Sequence, residues 1–492
     1  MDNSDPVVTV SRVAAKDTPP QTQPQTQHGL LVAWGHFVRT TGLLDKMLTV
    51  PIMQRVRGAR DGLFPTLPPG QKLVELLIGL LSGIEYLTDL SAGSAPLARD
   101  TVVAQAWGLK RLASASAVSR TLHACDMKSV SALQTVLEEV SQPYLARAVG
   151  DLRLRDQVLE LDVDLTGQPV SATSHTYPGA AFGHMDNEVR LGYQIAAVCV
   201  HTSLYGRQWL WGEQHPGNTV SAPCLLKLIA EAERRLGCHP RRRVELLTAR
   251  LHTHATELAD TQRHVEMHKQ AQATLQERQA QLAHQLQQAQ EQIQLWAGSP
   301  MSSRQDGHYS QYSRLQRQIT GWQSRLVRVQ KALTRAEATL QRSQQCLIQM
   351  QQQHDDLIAR LARLQRENDI QPEAPHVRIR MDAGFCSGEN LAALLELGYD
   401  VNTKSGNDAL VHALRQRIPP DNSKAWTRVG DNAEMIDWPD YHLTTCPYPV
   451  AVALERFHTG ETVRYAVLIR YITPTTRTPL RRWPFESGPK HP

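Results

Sequence analysis

Two aspartates stand where chemistry is plausible. Asp382 lies in "HVRIRMDAGFCSGENLAALLELG", directly after an alternating run in which Val377, Ile379 and Met381 face one way and Arg378 and Arg380 the other. That period belongs to a β-strand. Ser387 then supplies a helix cap, apolar residues follow at helical spacing, and Gly398 closes the run. Asp382 is therefore predicted at the carboxyl end of a strand and before a helix, the edge where open α/β sheets bind ligands. Taken alone it is equally an ordinary turn residue, so the chemistry needs a second carboxylate. "QVLELDVDLTG" offers one: Leu159, Leu161, Val163 and Leu165 share one strand face, and Glu160, Asp162 and Asp164 the other. Carboxylates on neighbouring strands can share a hard cation such as Mg²⁺. Two such ions about 3.5–4 Å apart activate a water or a 3′ hydroxyl and stabilise the leaving oxygen at a phosphodiester.

The elements that must hold these residues follow from period and composition. Residues 1–27, with "TPPQTQPQTQ", are too polar to order themselves and read as a disordered tail. Residues 28–150 carry apolar positions at i, i+3 and i+4 and read as a compact helical domain, a DNA-binding candidate only by a helix-turn-helix look that ordinary helical bundles share. Residues 151–245 change to strand periods, in 157–167, 188–200 and 206–214, followed by a helix capped by Asn218 or Ser221. Residues 246–368 interrupt the α/β pattern. Their second half keeps a 4-3 heptad spacing from Leu315 through Ile319, Trp322, Leu326, Val329 and Leu333 to Leu364, and the first half is looser. "WAGSPMSSRQDGHYS" is a turn between them, so an antiparallel coiled-coil hairpin is expected, each arm roughly 75 Å long at 1.5 Å per residue. Residues 369–472 resume strands and helices, and 473–492 form an irregular tail. The hairpin fills over half of the 218 positions between Asp164 and Asp382, so it need not separate them in space.

The totals limit the function classes. A net charge of +5 permits nucleic-acid binding without arguing for it. No apolar run approaches the length of a membrane span, so no membrane partner is expected. Seven scattered cysteines without a CxxC fit a reducing compartment better than a disulfide framework or structural zinc. The run Arg241, Arg242, Arg243 is a candidate phosphate contact or a solvated helix end.

The order of several stretches resembles DDE transposases of bacterial insertion sequences. These are "LELDVDLTGQPV", "PGAAFGHMDNEVRLGYQ", "HPGNT" and "RMDAGFCSGENLAALLELGYDVNTKSGN", preceded by "LKRLASASAVSRTL" in the helical stretch. The resemblance covers roughly residues 28–245 and 370–470. It implies an α/β, RNase H-like mixed-sheet catalytic domain, here interrupted by the hairpin and preceded by the helical domain. It also implies Mg²⁺ or Mn²⁺ as cofactor, double-stranded DNA (element ends and target) as partner, homo-oligomers, and a bacterial, nucleoid-associated location. The family's first acid stands in a D-x-T setting, here Asp164 with Thr166, and its second in D-x-G-F, here Asp382 with Gly384 and Phe385. Asp164 and Asp382 are thus the expected catalytic and metal-binding residues, with Asp162 a further metal ligand. Phe385 is expected to pack beneath the site, and Lys404 and Asn407 are candidate phosphate contacts. The family's third acid, a Glu on a helix after the last strand, has no good match: Glu455 lies in a predicted strand and Glu486 between prolines. The expectation is a C-terminally truncated copy, possessing or lacking strand-cleavage activity, with a non-catalytic DNA-binding and oligomerisation protein as the alternative.

Overall fold

The computed structural model describes residues 26–52, 67–155, 158–172, 177–185, 188–202, 204–297, 306–418, 426–459 and 462–472. The expected tails at 1–27 and 473–492, apart from Thr26 and Gln27, lie outside these, as do Glu486 and residues 298–305 of the expected turn 296–310, whose other residues are helical. The chain divides into two compact units, Met1–Arg147 and Ala148–Pro492.

The first unit is built of helices: α1 (Gly29–Thr40), α2 (Leu43–Leu48), α3 (Pro69–Leu81), α4 (Thr101–Ala106), α5 (Ala115–Leu122) and most of α6 (Met127–Leu154). Its core gathers Leu31, Val38, Met47, Val74, Ile78 and Val118 around Trp107, which is fully buried and donates its indole N–H to the Leu31 carbonyl at 2.8 Å. A buried indole without that acceptor would leave an unsatisfied donor. Asp100 caps α4 by accepting from the Val102 and Val103 amides. Ser114 precedes α5, but its hydroxyl meets Ser116 at 3.1 Å and caps nothing.

The second unit is a mixed α/β sheet with two long helices inserted. In chain order it contains β1 (Leu159–Pro169), β2 (Ala181–Met185), β3 (Glu188–Thr202), β4 (Gly206–Pro216), α7 (Leu225–Leu236), α8 (Val244–Ala297), α9 (Asp306–Ile370), β5 (Val377–Met381), α10 (Gly388–Glu396), β6 (Asp400–Ser405), α11 (Asp408–Gln416), β7 (Thr427–Arg428), β8 (Ala433–Tyr441), β9 (Val450–Thr459) and β10 (Thr462–Tyr471). The strand order is β2-β3-β1-β5-β6-β10-β9-β8-β7, with β4 also paired to β3. β1 is antiparallel to β3, and β1, β5 and β6 run parallel. One face of these three strands is apolar and buried, through Leu159, Leu161, Val163, Val377, Ile379, Met381 and Val401. β2, β7, β8 and α11 have no counterpart in the sequence reading, and the helix after β4 begins at Leu225 behind a short 3-10 turn rather than at a side-chain cap on Asn218 or Ser221.

α8 and α9 run side by side in opposite directions, because partners on α9 fall in number as those on α8 rise. His254 stacks on His354, Thr261 donates to the Met350 thioether at 3.2 Å, and Gln279 pairs with Gln330. These polar pairs explain the looser pattern of the first arm. Seam positions of α8 hold His, Thr and Gln that meet polar or soft partners, between the apolar seam residues Leu258, Val265 and Leu282. Polar seam pairs fix register at some cost in stability.

The base of the two helices is fastened to the sheet by buried ion pairs. Arg242 binds Glu233 at 2.7 Å and Glu367 at 2.6 Å, and Arg243 binds Asp400 at 2.8 Å. Neither side chain is a solvated helix end or free for phosphate, which corrects the reading of the run 241–243; only Arg241 is exposed. Glu396, fully buried, meets Arg250 of α8 at 2.9 Å, Arg360 of α9 at 2.8 Å and the Tyr448 hydroxyl at 2.8 Å. Among the described residues no helix is long and apolar enough to cross a membrane.

Candidate active site

The parallel register brings the two predicted acids together. Val163 pairs with Met381, and Met381 with Thr403. One step further along each strand are Asp164, Asp382 and Lys404, a single row across three strands. Asp382 keeps an extended backbone (φ −70°, ψ 162°), so the alternation carries through it. Neighbouring strands lie about 4.8 Å apart, so this row sets the two carboxylates side by side where β5 ends and partway along β1, which continues to Pro169. Both residues are exposed. The Asp164 carboxylate accepts from the Leu165 amide at 2.8 Å and the Thr166 hydroxyl at 3.2 Å, which fixes its orientation. Among the described residues no group hydrogen-bonds the Asp382 carboxylate, and no cation pairs with either acid.

Asp162, two residues back on the same face, has a different fate. Arg380 donates to it at 2.7 Å, Arg207 at 2.8 Å, and His201 also binds it. Burial pushes its carboxyl pKa up, but Arg380 and His201 outweigh that and hold it below the usual carboxylate range. Its lone pairs are committed to these cations, so it is a strut between β1, β3, β4 and β5 rather than an open ligand. The sequence showed the arginines on β5 and missed their target, because the pairing of β1 with β5 spans the whole hairpin.

The turn after Asp382 is held from below and beside. Phe385 is fully buried under it, as expected. A methyl on Gly384 would come within 2.6 Å of the Ser221 hydroxyl, so glycine lets the segment after "HPGNT" approach the acid turn. The Ser387 hydroxyl caps α10 by accepting from the Asn390 amide at 3.1 Å, and Gly398 ends that helix with φ +95°. Asn390 in turn donates to the Phe385 and Ala222 carbonyls, both at 2.9 Å, tying the acid turn to the segment before α7.

Glycines in "PGAAFGHMDNEVRLGYQ" and "HPGNT" serve the same close packing. A Cβ on Gly183 would overlap the Gly217 carbonyl oxygen, one on Gly217 the Ala181 carbonyl, and one on Gly192 the Gln168 carbonyl. Gly183, Gly192 and Gly217 thus allow close backbone-to-backbone approach among β1, β2, β3 and the segment after β4.

Asn407 is spent as the α11 cap, accepting from the Ala409 and Leu410 amides. The residue is exposed, and the cap uses only its side-chain oxygen. Lys404 stays exposed in the acid row. Glu455 lies on β9, and the register Leu468↔Lys404 and Leu468↔Ala453 puts it on the same sheet face as Lys404, two residues beyond Ala453. Burial raises its carboxyl pKa, against the attraction of Lys404. Among the described residues no three His, Cys, Asp or Glu side chains converge as a metal-holding group. A separate cavity lined by Glu213, His215, Thr219, Cys224 and Lys227 includes neither acid.

No protein-family model matches the sequence, and no curated protein matches it significantly.

Proposed function

We propose that this chain is a DNA transposase of the DDE type, built on an RNase H-like domain that a coiled-coil hairpin interrupts. The observation that carries this reading is the shared row of Asp164 and Asp382, two exposed carboxylates without cationic partners, 218 positions apart in sequence. The strand order β4-β3-β1-β5-β6, antiparallel for its first three strands and parallel for its last three, with α7 before β5 and α10 after it, supports the same reading. It is the arrangement expected of an RNase H-like core.

Asp164 and Asp382 fit a shared Mg²⁺ or Mn²⁺: hard oxygen donors, exposed, and one strand apart. Bound there, the ion supplies Lewis-acid activation of a nucleophilic oxygen at a phosphodiester. The chain's own residues do the rest. Leu165 N–H and Thr166 orient the first carboxylate, Phe385 and Gly384 set the turn that presents the second, and Lys404 beside it attracts phosphate. The substrate is double-stranded DNA at element ends and target, and the working form is a homo-oligomer in the bacterial cytoplasm.

The test is nicking of supercoiled plasmid by purified protein with Mg²⁺ or Mn²⁺. Asp382→Ala abolishes metal-dependent cleavage while leaving the circular dichroism spectrum and melting temperature unchanged, since the side chain is exposed and unbonded. Cleavage by that variant at the wild-type rate overturns the assignment. DNA binding and self-association without any cleavage by the wild type would favour the non-catalytic reading.

A further inference from the structure

The distal part of α9 carries a feature that the strand-end acids do not use. Between residues 311 and 345 it holds Arg314, Arg317, Arg325, Arg328, Lys331, Arg335 and Arg342 against one carboxylate, Glu337. All seven cations are exposed, and none pairs with a carboxylate of any described residue. Their positions are not scattered. Arg314, Arg328, Arg335 and Arg342 fall on one seven-residue repeat, whose missing member is Gly321. Arg317 and Lys331 lie three residues along from two of them, and Arg325 four residues beyond the gap. The apolar seam residues Leu315, Ile319, Trp322, Leu326, Val329 and Leu333 flank the cations on the side toward α8. The cations therefore form a stripe along the outer face of the helix. From Arg314 to Arg342 it spans roughly 42 Å at 1.5 Å per residue.

Gly321 shapes the stripe. Nothing stands within 4 Å of where its side chain would be. The result is a shallow notch lined by Arg314, Arg317, Gln318, Gly321, Trp322 and Arg325. Three guanidinium groups beside bare helix backbone suit a phosphate oxygen, which arginine can bind through two parallel N–H donors.

We propose that this stripe is a docking surface for the phosphate backbone of duplex DNA. Charge complementarity argues for that occupant. A stiff, straight row of cations matches a stiff rod with one negative charge per about 1.7 Å, and a stripe this long parallels about 12 base pairs at about 3.4 Å each. Six of the seven cations are arginine, and no acidic residue interrupts the run before Glu337; because the contacts are to phosphate, binding is independent of base sequence. The surface rests on the reading of the chain as a DNA-processing protein, and gives the hairpin a task within it: holding duplex at a distance from the acid row, on an arm whose base is fastened to the sheet.

The experiment is fluorescence anisotropy of the full chain on a labelled duplex of about 30 base pairs and arbitrary sequence, between about 50 and 200 mM salt. The combined variant Arg314→Gln/Arg317→Gln/Arg325→Gln is compared with wild type and with Arg366→Gln, an exposed arginine outside the stripe. The triple variant is expected to bind roughly tenfold more weakly and to flatten the slope of log affinity against log salt by roughly 2–3, at about 0.9 per lost phosphate contact. Arg366→Gln should follow wild type. Equal affinity and slope for the triple variant and wild type overturn the proposal, provided its helicity is unchanged. Competition by polyglutamate as strong as by unlabelled duplex also overturns it, in favour of an acidic protein partner. The catalytic reading fails separately, because only plasmid nicking reports on the acids.

Discussion

At the base of the two helices Arg242 and Arg243 are 3% and 7% exposed and bound to Glu233, Glu367 and Asp400, whereas the arginines of distal α9 are open to solvent and pair with no carboxylate of the described residues. The same side chain serves two ends in one pair of helices. At the base, desolvated guanidinium groups are held by carboxylates and by the carbonyls of Leu395, Leu397 and Tyr399, so the arm's direction is fixed by the sheet. Farther out, the charge is left unneutralised and available. The acid face of the sheet repeats the contrast on a smaller scale. Asp162 is consumed by Arg380, Arg207 and His201, while Asp164, two residues on, has no cationic partner. Residue type does not separate structural charge from functional charge; the presence of a counter-charge does.

The sharpest break of this comparison is Glu396→Ala. It strands Arg250 and Arg360 and removes the acceptor of the Tyr448 hydroxyl, and breaking a buried pair from one side costs about 3–5 kcal/mol. Urea denaturation of the full chain should show that loss; an unchanged midpoint would mean the base is not held by its ion pairs. Asp162→Asn comes next, at about 1.5–3 kcal/mol for hydrogen bonds to a charged group, while Asp164→Asn should stay within about 0.5 kcal/mol of wild type. The pH dependence sharpens the same pair. The Asp162 carboxyl has a native pKa below its unfolded value of about 3.9, so its contribution is complete above that value. It is lost as pH falls through the lower native pKa. Wild-type stability should therefore drop more steeply than that of Asp162→Asn below about pH 4, measured by thermal melts across the acid range. Gly183→Ala forces a methyl against the Gly217 carbonyl and should cost about 1–3 kcal/mol by overpacking, visible as a lowered melting temperature. The smallest effect on stability belongs to the distal stripe: Arg314→Gln/Arg317→Gln/Arg325→Gln should leave the urea midpoint within about 0.5 kcal/mol of wild type. A loss comparable to that of Glu396→Ala would erase the distinction between the two ends of the arm.

Much of this architecture was legible from local pattern. The strand of Asp382, its Ser387 cap and the Gly398 stop follow from period and capping chemistry, which act within a few residues. The strands at 188–202 and 206–216 and the long helical arms were equally plain. β8 was not, since "AEMIDWPDY" mixes acids and a proline with its apolar residues and has no clean period; it is a strand because β9 pairs with it from Ala433 to Tyr441. α11 was masked by the polar residues on both sides of its short apolar stripe. The run Arg241–Arg243 misled because a cluster of cations reads as surface until the carboxylates that bury it are known, and two of the three, Glu367 and Asp400, stand more than a hundred residues away.

The sequence by itself determined which residues alternate, where several helices start and stop, and that Asp164 lies within and Asp382 directly after an alternating strand run, because side-chain period and capping are local. Only the tertiary structure decided that β1 and β5 are parallel neighbours in a register that sets those two acids in one row. It alone decided that Asp162 is taken by Arg380 while Asp164 is left open. Pairing across the inserted hairpin depends on burying the apolar faces of both strands together, a long-range interaction that no stretch of either strand contains.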